Sequence, residues 1–98
     1  MFNWIKKIRR KNTDELITVL IQLLELLSKS DDINISEVRF EITQQLEMLK
    51  KEEKPDYSKL KGLFAPTSVL QEISIDNGWA DAFISLAERF DSATLWRS

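Results

Sequence analysis

Leu16-Ile17-Thr18-Val19-Leu20-Ile21-Gln22-Leu23-Leu24-Glu25-Leu26-Leu27 is the stretch on which the fold of this chain turns. At about 100° per residue, Asp14, Thr18, Gln22, Glu25 and Lys29 fall on one narrow polar stripe. Leu16, Ile17, Val19, Leu20, Ile21, Leu23, Leu24, Leu26 and Leu27 take the rest of the circumference. A helix that is apolar over most of its girth has to be covered on several sides. The pattern predicts a helix over residues 13–29 at the centre of a bundle; the competing reading is half of a subunit interface. A membrane span needs roughly 20 apolar residues, and this stretch stops well short. It is not read as a cleaved leader either. Gln22 and Glu25 interrupt the apolar region, and Ser28-Lys29-Ser30-Asp31 lacks the small residues of a cleavage site.

Upstream lies Met1-Phe2-Asn3-Trp4-Ile5-Lys6-Lys7-Ile8-Arg9-Arg10-Lys11. Trp4 and Ile8 are four apart, and Ile5 and Ile8 three apart, so they share a helical face, with basic residues filling the remainder. Asn12 or Thr13 can cap the next helix, with Asp14 and Glu15 in its first turn, so this segment reads as a separate short amphipathic arm. Two roles suit it. Phe2, Trp4, Ile5 and Ile8 could dock on the bundle, or the arm could lie on an anionic membrane, with Lys6, Lys7, Arg9 and Arg10 facing the headgroups. Contact with nucleic acid phosphates is less favoured.

Downstream, Ser30-Asp31-Asp32 reads as a turn, and a second helix is expected over about 34–54, stopped by Pro55. Its core stripe is Ile35, Val38, Ile42, Leu46 and Leu49, with Glu37, Glu41, Gln44, Lys51 and Glu52 solvated; Phe40 falls nearly opposite the stripe. Asp56 caps a short helix from Tyr57 to about Phe64, closed near Gly62. Ser68 and Gln71 have capping-box spacing for another short helix. Asp76-Asn77-Gly78 is a turn suited to positive φ. A last helix over about 79–91 places Trp79, Phe83, Leu86, Ala87 and Phe90 inward. The tail carries Trp96. The fold class is therefore all-α: one domain over residues 1–98, a small bundle of about five helices with a short amphipathic N-terminal helix.

Composition narrows the chemistry. With no cysteine and no histidine, the chain has no disulfide, no thiol nucleophile, no thiolate or imidazole metal ligand and no imidazole base. The lack of cysteine favours a cytoplasmic location for a domain of this size. The net charge of −2 conceals an asymmetry: residues 1–11 carry five basic and no acidic groups, and the remaining 87 carry 9 basic and 16 acidic, a balance of −7. Glu37 and Glu41 could be imagined as an acid–base pair, but they fall on a solvated helix face, not in a cleft. Asp31-Asp32-Ile33-Asn34 lacks the glycine a calcium loop requires. The chain is read as not an enzyme, and no cofactor or metal is expected.

Leu63-Phe64-Ala65-Pro66-Thr67-Ser68-Val69-Leu70-Gln71-Glu72-Ile73-Ser74-Ile75-Asp76-Asn77-Gly78-Trp79 resembles a motif of small bacterial proteins of uncharacterised function, read as Ala-Pro-Thr, a short Leu-Gln helix and Asn-Gly-Trp. Some of those proteins look like the immunity partners of bacterial toxins. The N-terminal half carries no such resemblance, and no site residue transfers with the motif. The resemblance implies a non-catalytic protein that neutralises a toxin by binding it, and an acidic body is suited to steering onto a basic partner. The residues expected at such a contact are Phe40, Glu37, Glu41, Asp31 and Asp32. The rival expectations are a peripheral membrane adaptor held by the arm and a homo-oligomer built on helix 13–29.

Overall fold

A computed structural model of the chain describes residues 3–65 and 68–94, the side chains of residues 3–12 excepted. Phe2, Trp96 and the Pro66-Thr67 part of the motif lie outside the described residues. Among these residues five helices follow one another: α1 Asn3–Ser28, α2 Ile35–Lys50, α3 Tyr57–Leu63, α4 Val69–Asp76 and α5 Ala80–Thr94. The all-α bundle expected from the sequence is what forms.

The leucine-rich stretch is central. Leu16, Val19, Leu20 and Leu23 are fully buried and Leu27 nearly so. Helix α1 packs against both α2 and α5, and α4 packs on α5. Leu16 and Leu20 are spaced four apart, as are Val19, Leu23 and Leu27, so these rows turn one broad face inward. Ile17, Leu24 and Leu26 are partly buried at its margins. The polar stripe needs one revision: Ile21 is exposed, whereas Gln22 turns towards α5 and accepts a hydrogen bond from Arg89 Nη1 at 2.7 Å. A polar side chain at the edge of a buried face is stable when a neighbouring helix supplies its partner, and sequence periodicity alone cannot show that partner.

Helix α1 also differs at its start. The arm and the central helix form one continuous element, and Asn12 and Thr13 do not begin a new one. The first proline is residue 55 and the first glycine residue 62, so no strong breaker precedes α2. Asn and Thr inside a helix cost at most about 0.7 kcal/mol each, less than is needed to force a break.

Two side-chain contacts fix the direction of α5. Trp79 Nε1 donates to Ser30 Oγ at 2.7 Å, and Arg89 Nε donates to Glu15 Oε1 at 2.6 Å. Trp79 thus sits beside the end of α1 and Arg89 beside its middle turns, so α5 runs antiparallel to α1. Helix α2, returning after the connection 29–34, is antiparallel as well. Helices α3 and α4 together link the two flanking helices. At its start Gln45 of α2, itself buried, accepts from the Asp56 backbone N–H at 2.8 Å. At its end Phe64 stacks on Phe90 with centroids 4.7 Å apart and on Phe83 at 5.9 Å. Trp79 meets Phe83 edge-on at 6.3 Å. Leu60, Phe64, Leu70 and Ile73 join the same core as the leucines of α1.

The helix ends show which local signals were read correctly. Asp56 caps α3 by accepting from the Lys59 N–H, and Ser68 caps α4 by accepting from the Gln71 N–H. Gly78 adopts φ +80°, while the Trp79 and Gly78 N–H groups bond back to Ser74 O and Ile75 O, closing α4 in a Schellman arrangement. Helix α3 closes near Gly62 as expected, ending at Leu63 with Phe64 as its C-cap. Helix α2 stops at Lys50, before Pro55. There the Glu53 and Glu52 N–H groups bond to Met48 O and Leu49 O, and Glu52 takes φ +60°, the conformation a glycine would favour. Pro55 is buried beyond that stop.

Two stability predictions follow from this geometry. Leu20→Ala and Leu23→Ala should each lower the unfolding free energy by about 2–5 kcal/mol in chemical denaturation, while Glu25→Ala on the exposed stripe should stay within about 0.5 kcal/mol. Equal effects at all three positions would contradict a central α1. Glu52→Gly should stabilise by about 0.5–1 kcal/mol, by relieving a left-handed non-glycine residue, and Gly78→Ala should destabilise by about 1 kcal/mol. The signs of the two shifts in urea midpoint check the two helix stops.

Candidate partner-binding surface

The candidate contact residues stand on α2 and the loop before it. The face of α2 turned to the core carries Val38, Ile42, Gln45, Leu46 and Leu49. At helical spacing the opposite face is then committed to solvent. Phe40 occupies the middle of that outer face and is 66% exposed. Glu37 precedes it by three residues and Gln44 follows by four, so both stand about 5–6 Å from it on the same helical surface. Both are exposed. Glu41 lies further round towards the flank and is half-buried. Arg39 and Thr43, also exposed, border Phe40 on the other side. The outer face therefore presents one large aromatic ring with carboxylates along one border and a guanidinium on the other.

Asp31 and Asp32 differ from each other. The Asp32 carboxylate is engaged locally, accepting from the Asn34 backbone N–H at 2.8 Å, and so organises the start of α2 where Asn34 itself makes no side-chain cap. Asp31 donates its backbone N–H to Asn77 Oδ1 at 3.2 Å, which ties the loop to the α4–α5 corner and leaves the Asp31 side chain exposed. Asp32 is thus partly withdrawn from any outside contact. Glu37, Phe40 and Asp31 remain turned outward.

Sequence reasoning missed Ile33, which is 95% exposed. It follows the Ser30-Asp31-Asp32 turn, and the sequence reading gives it no role of its own. The available signal was an isoleucine set between Asp32 and Asn34 in a segment too short to bury it. Two more exposed apolar side chains, Ile75 on α4 and Ile84 on α5, are accompanied by exposed Glu72, Asp76, Asp81, Glu88 and Asp91. The sole basic residue of segment 68–94, Arg89, is held by Glu15 and Gln22. The acidity inferred from composition is therefore spread over the α4–α5 surface as well as α2. Tyr57 is half-buried against the core, which removes it from the set of free aromatics.

Among the described residues, no three acidic side chains converge as a cation-holding group. No described helix is long and apolar enough to cross a membrane. Comparison with protein-family models, with curated proteins and with solved structures found no match to this chain.

Phe40→Ala should leave the unfolding free energy within about 0.5 kcal/mol of the parent, because an exposed ring has little apolar area to lose from the core. Ile42→Ala, two residues on and fully buried, should cost about 2–4 kcal/mol. Paired urea titrations followed by circular dichroism check this; a large loss for Phe40→Ala would place that ring in the core.

Proposed function

We propose that the protein is a non-catalytic binding domain whose outer α2 face, centred on Phe40, contacts a basic protein partner. The observation that carries this reading is a phenylalanine 66% exposed on a helix whose other face is fully used by the core. Exposed aromatic side chains at a protein surface are typical anchors of binding hot spots, since they bury large area for little lost rotamer freedom. Glu37, Glu41 and Asp31 supply a charged border, and the body charge of −7 over residues 12–98 provides longer-range attraction.

An immunity or antitoxin-like role is the specific form of this proposal. It draws on the resemblance of Leu63–Trp79 to a motif found in some proteins that look like toxin-immunity partners. It also draws on charge: a nuclease toxin is basic where it holds phosphate, so an acidic domain is suited to cover that surface. On this reading the protein acts in the cytoplasm, where such a toxin would do its damage.

Capture by the intact chain from its own cell extract, identification of the bound protein, and surface plasmon resonance with that protein purified together form the test. The expected partner is basic. Phe40→Ala should speed its dissociation and cost at least about 2 kcal/mol of affinity. Glu37→Gln with Glu41→Gln should slow association and flatten its salt dependence, with little change in dissociation. A partner whose kinetics ignore Phe40→Ala would overturn the assigned anchor, and an acidic partner would overturn the electrostatic part.

A further inference from the structure

We infer that the N-terminal extension of α1 is a docking helix for an anionic phospholipid surface. This inference is independent of the α2 face and rests on three observations.

The first is backbone geometry. Helix α1 is one element from Asn3 to Ser28, so its N-terminal part continues the axis of the central helix. Helix α5 is antiparallel, with Trp79 beside Ser30 and Arg89 beside Glu15 and Gln22. At equal rise, its last residue Thr94 comes level with about the Asp14 turn. By the same rise, α2, 16 residues long and starting just after the end of α1, reaches about the same level at Lys50. Roughly ten residues of α1, about 15 Å of helix, therefore run beyond the levels of Lys50 and Thr94, the last described residues of α2 and α5. The principal extents of the molecule, 48 × 22 × 20 Å, agree with a bundle lengthened at one end.

The second observation is charge. Lys6, Lys7, Arg9, Arg10 and Lys11 all lie in this extension, and no acidic residue precedes Asp14. The remainder of the chain is acidic. An acidic body would ordinarily be repelled by an anionic surface. Here all five cations of residues 1–11 are gathered in the extension, so attraction is concentrated at that end of the molecule.

The third is the helical register. At 100° per residue, positions 4, 5 and 8 occupy one arc of about 100°, and positions 6, 7 and 10 occupy the opposite side. Positions 9 and 11 fall at the two borders. A helix with Trp and Ile on one arc and cations on its borders and back suits the boundary between acyl chains and headgroups. Nucleic acid would use the charges but has no use for the Trp4, Ile5 and Ile8 arc. A second copy would bring five like charges against five if the extensions paired. One short helix gives reversible attachment, not permanent anchoring.

The test is flotation of the full-length protein with vesicles of phosphatidylglycerol and phosphatidylcholine, against vesicles of phosphatidylcholine alone. The intact protein should float with the anionic vesicles at low salt, stay behind with the neutral ones, and be released by high salt. Replacing Lys6, Lys7, Arg9 and Arg10 by Gln should lower binding by about a hundredfold or more. Trp4→Ala with Ile8→Ala should lower it by about tenfold or more at unchanged charge. Circular dichroism confirms that each variant keeps the bundle. No flotation of the intact protein at low salt would overturn the inference. So would binding indifferent to Trp4→Ala with Ile8→Ala, or tighter binding to a DNA duplex than to the vesicles.

Discussion

The burial of one face of α1 is the constraint on which the rest of the structure depends. Leu16, Val19, Leu20, Leu23 and Leu27 present too much apolar surface for any single neighbour, and the chain covers it from both sides, with α2 and with α5. Burying a leucine contributes about 1.5–3 kcal/mol, so this row is a large share of what a domain of this size can gather. The remaining elements serve that arrangement. Helix α3 leads the chain out of α2, and its last turn runs into Phe64, which stacks against Phe83 and Phe90 of α5. Helix α4 and the Gly78 turn deliver Trp79 to the end of α1, where its indole N–H finds Ser30.

Coverage of α1 by its own chain also defines which surfaces are left. The subunit-interface reading of the leucine face loses its main motive, since that face is already occupied within one chain. Among the described side chains, those left outward include the Phe40 face of α2, the Ile33 loop and an acidic α4–α5 surface with Val69, Ile75 and Ile84. A polar seam closes the boundary between α1 and α5: Arg89 reaches Glu15 and Gln22 together. The Arg89–Glu15 pair is more than a third exposed on both sides and contributes about 0–1 kcal/mol at most, so the seam sets register more than stability.

Much of this was legible from residue spacing. The core face of α2, Val38, Ile42, Leu46 and Leu49, and the inner face of α5, Phe83, Leu86 and Phe90, follow from periodicity, because a helix has to turn its apolar row inward. The caps at Asp56 and Ser68 and the left-handed Gly78 were readable because each signal is local. The failures share the opposite character. Gln22 turns from its stripe to a partner 67 residues away, which no local pattern encodes. Glu52 in the left-handed region defied the expectation that Pro55 would be the stop. Asn12-Thr13 offered a cap that the chain does not use, because nothing requires α1 to turn there. Within the candidate surface, the exposure of Phe40 was readable as the complement of a core stripe. The engagement of Asp32 with Asn34 and the exposure of Ile33 were not, since both depend on the path of a short loop.

Native-state hydrogen exchange tests the central role of α1 most directly. If both flanking helices depend on its leucine face, the α1 amides from Val19 to Leu27 open only when the whole domain unfolds. Their exchange free energies should then equal the global unfolding free energy from denaturant titration and should not be exceeded by those of α2 or α5. Exchange of α1 at a distinctly lower free energy, with α5 and α3 still protected, would show that the aromatic cluster around Phe64, Phe83 and Phe90 holds the fold and that α1 is only attached to it.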